Sequence, residues 1–141
     1  MDRETALQFV RDHHHAVLAT LRSDGSPQLT PVAAAVDHAG RILVSTRETA
    51  MKTRNVRRRP RAWLCVLVDE FFPRGGGPAF AQLSGPVEVV SLPEAMDGLI
   101  DYYRQVSGEH PDWEEYRQAM EQERRCLLRV TVEETGPSRA G

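Results

Sequence analysis

Apolar residues along this chain recur at helical spacing in some stretches and run together in others, and turns between them mark its elements. In residues 3–14, Leu7 and Val10 lie three apart with Ala6 beside them and Asp2 just before. That spacing predicts a short helix capped by Asp2. Residues 16–21 are an apolar run of strand length, and Asp24-Gly25 supplies a turn into a second strand over 28–36. A turn at 37–40 leads to a third strand over 41–46. Short connections of this kind favour antiparallel pairing.

Thr49 is placed to cap a helix over 50–58, which Pro60 stops. A Trp-, Leu- and Val-rich strand follows over 62–68. The loop 69–78 holds Gly75, Gly76 and Gly77 and reads as a lid or spacer. Residues 79–90 form a long strand, broken at Gly85-Pro86. Ser91 and Glu94 have capping-box spacing with Pro93 between them. Met96, Leu99, Ile100 and Tyr103 then recur at helical spacing. After a break at 107–111, Asp112 caps a last helix whose Trp113, Tyr116 and Met120 share one face, read as core or subunit interface. A final strand covers 125–132, and 133–141 reads as a flexible tail. No repeat and no second domain interrupt 1–141. Antiparallel strands with helices set outside them predict an α+β, barrel-like domain.

Composition narrows the class. A hydrophobic fraction of 40% with 27% charged residues reads as a soluble, globular chain. No window approaches the roughly 18 apolar residues of a membrane span. The first four residues have mixed charge and no apolar run follows, so no signal peptide is seen and a cytoplasmic location is expected. Cys65 and Cys126 sit in apolar runs without CxxC spacing and read as buried thiols. A net charge of −2 argues against a dedicated nucleic-acid binder.

Charge is uneven, however. Of 18 basic residues only Lys52 is a lysine, and it opens a stretch to Arg61 that holds six cations and no acid. A cation in the first turn of a helix opposes the helix dipole, at a cost of some tenths of a kcal/mol. An anion bound there reverses the sign, because the unpaired N–H groups and the ammonium both point at it. Ser45, Thr46 and Thr49 add hydroxyls on the approach. Arg54, Arg57 and Arg58 share one side of the helix, while Lys52 and Asn55 lean another way. The alternative is a solvated basic helix with no ligand. His13, His14 and His15 point in different directions and have no Cys or acidic partner at ligand spacing, so no metal site is expected. Glu114, Glu115, Glu121 and Glu123 read as a solvated helix face. No Ser/His/Asp or Cys/His arrangement appears. The residues alone stop at an α+β domain with one anion site.

Two sets of motifs carry a resemblance. Ala19-Thr20-Leu21, Asp24-Gly25-Ser26-Pro27-Gln28 and the run from Lys52 to Arg61 resemble the flavin/deazaflavin oxidoreductases related to pyridoxamine 5′-phosphate oxidase. Tyr103-Arg104, Gly108-Glu109-His110, Asp112-Trp113 and the run from Tyr116 to Met120 are similar to their coenzyme F420-dependent B branch. The resemblance implies a split β-barrel of about six to seven mainly antiparallel strands. It implies a homodimer with cofactor sites at the interface, and F420 held with its phosphate and oligoglutamate tail against the basic helix. The implied reaction is hydride transfer between reduced F420 and a small electron-poor acceptor of quinone, conjugated lactone or tetrapyrrole type. The cofactor would carry the redox chemistry, so no catalytic side chain is expected. By the same resemblance Lys52 and Asn55 match the anion-binding motif, with Met51 beside them. Gln28 and Thr30 border the deazaflavin ring, and Ser45 and Thr46 end the strand that feeds the phosphate site. Relatives often carry arginine at the position of Ala50; Arg47 or Arg54 would stand in for it. FMN as cofactor, or binding of F420, flavin or tetrapyrrole without turnover, are the alternatives. The loop 70–78 and the tail after Val132 differ from the family pattern and would reshape the acceptor pocket.

Overall fold

Apolar runs set the strands, and burial alternates along those whose one face meets the core while the other does not. In the computed structural model, which describes residues 1–68, 75 and 79–138, β1 (His15–Leu21) buries Ala16, Leu18 and Thr20. It pairs antiparallel with β2 (Pro27–Ala33) through the Asp24-Gly25 turn, where Asp24 Oδ1 accepts from the Ser26 amide at 2.9 Å and Gly25 takes φ +88°. The segment expected as one strand over 28–36 is interrupted at Ala34, whose N–H donates to His14 O. Beyond Ala34 the short β3 (Ala35–Val36) leaves β1 and pairs with β4 (Ile42–Arg47).

This change of partner closes the barrel. The strand path runs β2-β1-β5-β6-β7-β4-β3, with β5 at Arg61–Leu67, β6 at Phe80–Val90 and β7 at Arg125–Val130. Every pair is antiparallel. Because β2 and β3 are one stretch of chain, the two ends of the path meet, and the sheet curls into the expected split barrel. β6 makes the opposite corner. Phe80–Pro86 pairs with β5, whereas Val87–Val90 pairs with β7, so the break expected at Gly85-Pro86 is a change of partner within one strand.

Leu18, Val44, Leu64, Leu83 and Leu128 fill the interior, and α1 (Arg3–Asp12) closes one end with Leu7 and Val10. Asp2 caps α1 as expected, accepting from the Thr5 amide at 2.8 Å. A second apolar cluster lies outside the barrel. There α3 (Met96–Ser107) and α4 (Trp113–Gln122) pack Leu99, Tyr116 and Met120 onto Leu43 and Leu127. Asp112 caps α4 through the Glu114 and Glu115 amides.

Three local expectations are corrected. Ser91 does not cap a helix; α3 begins only at Met96, and the Ser91 hydroxyl donates to Glu48 at 2.6 Å. Thr49 does not cap α2 (Met51–Arg58), whose N-cap is Ala50 with no side-chain bond. The tail expected to fray is docked as far as Ser138, because β8 (Glu134–Thr135) pairs with β6 and Ser138 O accepts from the Ala79 amide. The loop expected over 69–78, apart from Gly75, and residues 139–141 lie outside the described residues.

Candidate functional site

The basic helix begins where a sheet edge is left without a partner. β3 pairs with Ile42 and Leu43, so over Ser45–Arg47 the side of β4 facing away from β7 has no strand beside it among the described residues. α2 starts there. Val56 and Thr53 turn inward, and the Thr53 hydroxyl donates to Arg47 O at 2.7 Å, fixing the first turn against the end of β4. The result is a cleft of about 260 Å³ lined by Ser45, Thr46, Arg47, Thr49, Ala50, Lys52 and Arg125.

Lys52 is half-buried in this cleft, and no ion pair among the described residues involves it. Burial, with the Arg125 charge second, holds its ammonium below the ordinary lysine range. The helix terminus beside it has no side-chain cap and no acid in its first turn. A half-buried cation with no counter-ion among the described residues, next to the N–H groups of a helix start, is a cradle suited to an anion.

The other cations of the stretch are disposed differently. Arg57 pairs with Glu48 at 2.6 Å, and Arg61 pairs with Glu133 and Glu134. Arg58 reaches Leu21 O and Asn55 Oδ1. The expected site residues therefore divide. Ser45, Thr46, Arg47, Ala50 and Lys52 come together around the cleft, while Met51 and Arg54 are exposed outside its lining.

Asn55 lies outside the lining of this cleft. Asn55 is fully buried, and its amide nitrogen donates to Thr20 Oγ1 at 3.1 Å and to Gln28 Oε1 at 2.9 Å. Both N–H bonds are engaged inside the protein, and Asn55 thereby fixes Gln28. Thr30 lies two residues further along β2, on the same face as Gln28. Asn55→Leu leaves Thr20 and Gln28 without their donor. It is expected to lower stability by about 1–3 kcal/mol, read as a lower urea midpoint. An unchanged midpoint would contradict this role.

Arg125 was not found by sequence reasoning. It enters the cleft because β7 pairs with β4 in a register that sets Arg125 opposite Arg47. Nothing local in the sequence announces that pairing. Glu123 is also more than part of a solvated face. Its Oε1 accepts from Arg47 at 3.0 Å and from Arg125 at 2.9 Å. A second, larger cleft of about 390 Å³ adjoins the first through Ser45 and Arg125, with Tyr102, Tyr103, His110 and Tyr116 among its walls. The Tyr102 and Tyr116 hydroxyls are spent on Ala33 O and Leu99 O, so their rings supply apolar surface. Burial foremost pushes the Tyr116 phenol up to about 12.

The barrel that supports this cleft recurs in known proteins. The pattern of the pyridoxamine 5′-phosphate oxidase family matches residues 3–138. The chain belongs to the pyridoxamine 5′-phosphate oxidase family. Solved structures similar to this family member include a conserved hypothetical protein from Mycobacterium tuberculosis, 25% identical with a TM-score of 0.76 over 96% of this chain and 82% of that one. A protein described as an F420 reductase is 18% identical with a TM-score of 0.70, over 92% and 94% of the two chains. A haem storage protein from Vibrio cholerae is also 18% identical, with a TM-score of 0.68 over 95% and 92%. The last two likenesses speak for the family's fold. The pyridoxamine 5′-phosphate oxidase-like chain has no helix among its described residues long and apolar enough to cross a membrane. Nor do those residues group three or more His, Cys, Asp or Glu side chains to hold a metal ion.

Proposed function

We propose that this chain is an F420-dependent oxidoreductase, moving a hydride between reduced F420 and a small electron-poor organic acceptor such as a quinone, a conjugated lactone or a tetrapyrrole. The observation that carries the reading is Lys52, half-buried at the uncapped start of α2 and without a counter-ion among the described residues. These residues fit a phosphate-bearing cofactor: the helix N–H groups, Lys52 and the Ser45 hydroxyl are donors around one cleft. FMN would satisfy the same donors. The B-branch resemblance over Tyr103–Met120 and the fold shared with an F420 reductase favour F420.

When bound, reduced F420 supplies the hydride. The protein's part is to anchor and orient. Lys52 holds the phosphate, and Gln28, fixed by Asn55, borders the ring together with Thr30. Mixing the protein with reduced F420 and a panel of quinones and conjugated lactones tests this. Oxidation faster than in protein-free controls is expected for at least one acceptor. Tight binding without turnover would move the assignment to the second reading, a flavin or tetrapyrrole binder, which the haem storage neighbour favours.

The protein is proposed to act as a homodimer. The outer face of β2, β1 and β5 presents Leu29, 66% exposed, with Pro31 and Leu67 on the same surface. A contiguous apolar sheet face of this kind suits a second copy. Leu29→Asp is expected to yield monomers by light scattering and to weaken F420 binding with them. A dimer that persists, or a monomer with full affinity, would contradict the proposal.

A further inference from the structure

Glu123 occupies an unusual place for the acid of a helix end. α4 stops at Gln122, Glu123 is its C-cap, and Arg124 follows in the left-handed region at φ +52°. A non-glycine residue in that region is uncommon, and here it makes the tight exit that ends the helix. The turn lays the Glu123 carboxylate back over Arg125, two residues on. One oxygen, Oε1, then accepts from Arg125 Nη2 at 2.9 Å, Arg125 Nε at 3.2 Å and Arg47 Nη2 at 3.0 Å. Arg47 and Arg125 line the same cleft as Lys52. Of its three cations, two hold an internal carboxylate, and the third has no counter-ion among the described residues.

We infer that Glu123 is a built-in competitor for the anion site, and so a determinant of its affinity: the carboxylate occupies the Arg47–Arg125 pair in the ligand-free protein, and a phosphate arriving at Lys52 takes these guanidinium groups from it. The chemistry supports exchange in place of a permanent bridge. Glu123 is about one-third exposed, so its carboxylate can turn to water when displaced. Arg47 is more than half exposed and can swing between the two acceptors. A phosphate offers more acceptor oxygens in a compact group than a carboxylate, so it satisfies Lys52 and the fork of an arginine together. The Arg47 and Arg125 hydrogen bonds hold the Glu123 carboxyl below the usual glutamate range. Their transfer to a ligand would let it rise again.

This inference deepens the cofactor reading and rests on it for the identity of the phosphate's owner. Glu123→Gln keeps the shape of the side chain and removes its charge. Wild-type and variant protein would be titrated calorimetrically with inorganic phosphate and with F420. The variant is expected to bind both more tightly, by roughly tenfold, the scale of one charge-assisted hydrogen bond. In the wild type, the carboxyl carbon of Glu123 followed by NMR should titrate at higher pH once phosphate saturates the site. A purely structural bridge would show neither change. Equal or weaker binding by the variant, with F420 still bound by wild type, would overturn the role of Glu123 and leave the cofactor reading standing. Tighter phosphate binding with no F420 binding by either protein would support Glu123 and remove F420. Binding of neither probe by either protein would overturn both.

Discussion

Lys52→Met is expected to weaken F420 binding by about 10- to 100-fold and to make the ligand-free protein slightly more stable. The first half follows from losing a charge-assisted contact, worth about 1.5–3 kcal/mol. The second follows from the site's unsatisfied state. Lys52 is a cation in the first turn of α2, and its removal relieves about 0.3–1 kcal/mol of opposition to the helix dipole. Methionine keeps the apolar stem that packs in the cleft.

The pH dependence has a fixed sign. Burial, then Arg125, lowers the Lys52 pKa in the folded state below its model-peptide value of 10.5. Between the lowered value and 10.5 the unfolded chain binds more protons, so stability attributable to Lys52 rises with pH in that window. At neutral pH the residue is charged in both states and its cost is fully present. Lys52→Met should therefore raise the melting temperature at neutral pH and remove the alkaline rise. Thermal melts with and without F420 read both effects. A variant that melts lower without ligand, or binds F420 as wild type does, would contradict this account.

Gly85→Ala is expected to be the most damaging small substitution in the barrel. Gly85 sits where β6 passes from β5 to β7. A Cβ there would lie 1.7 Å from the carbonyl oxygen of Thr131. That backbone cannot step aside cheaply, because Thr131 N donates to Pro86 O and Glu133 N donates to Ser84 O, both at 2.9 Å. The corner must open and lose ladder bonds on both sides. A loss of about 3 kcal/mol or more is expected, beyond ordinary overpacking. Urea denaturation measures it, and a loss below about 1 kcal/mol would show that the corner yields without breaking.

Much of this architecture was legible in the sequence because its signals are local. Asp2 and Asp112 cap helices from the positions their spacing indicated, and apolar runs of strand length located the barrel walls. Expectations failed where tertiary contacts overruled local chemistry. Ser91 has the spacing of a capping residue, yet Glu48 claims its hydroxyl. The expected strand from Gln28 to Val36 shows no sign of the partner change at Ala34, because Val32 to Val36 are all apolar whichever strand they face. In the site, Lys52 stood out as the only lysine, and Ser45, Thr46 and Arg47 followed from the strand leading to it. Arg125 and Glu123 could not follow. Arg47 and Glu123 are 76 positions apart, and only the β4–β7 register brings them together. Sequence carries no sign that both amide hydrogens of Asn55 are engaged by Thr20 and Gln28.

The central claim is that the Lys52 cleft holds the phosphate of a deazaflavin cofactor. Fluorescence titration of F420 with the purified protein tests it most directly, with Lys52→Met titrated in parallel. Saturable binding by wild type, weakened at least tenfold in the variant, is the expected result. An F420 signal that stays flat at high micromolar protein, or a curve that the variant reproduces, would contradict it.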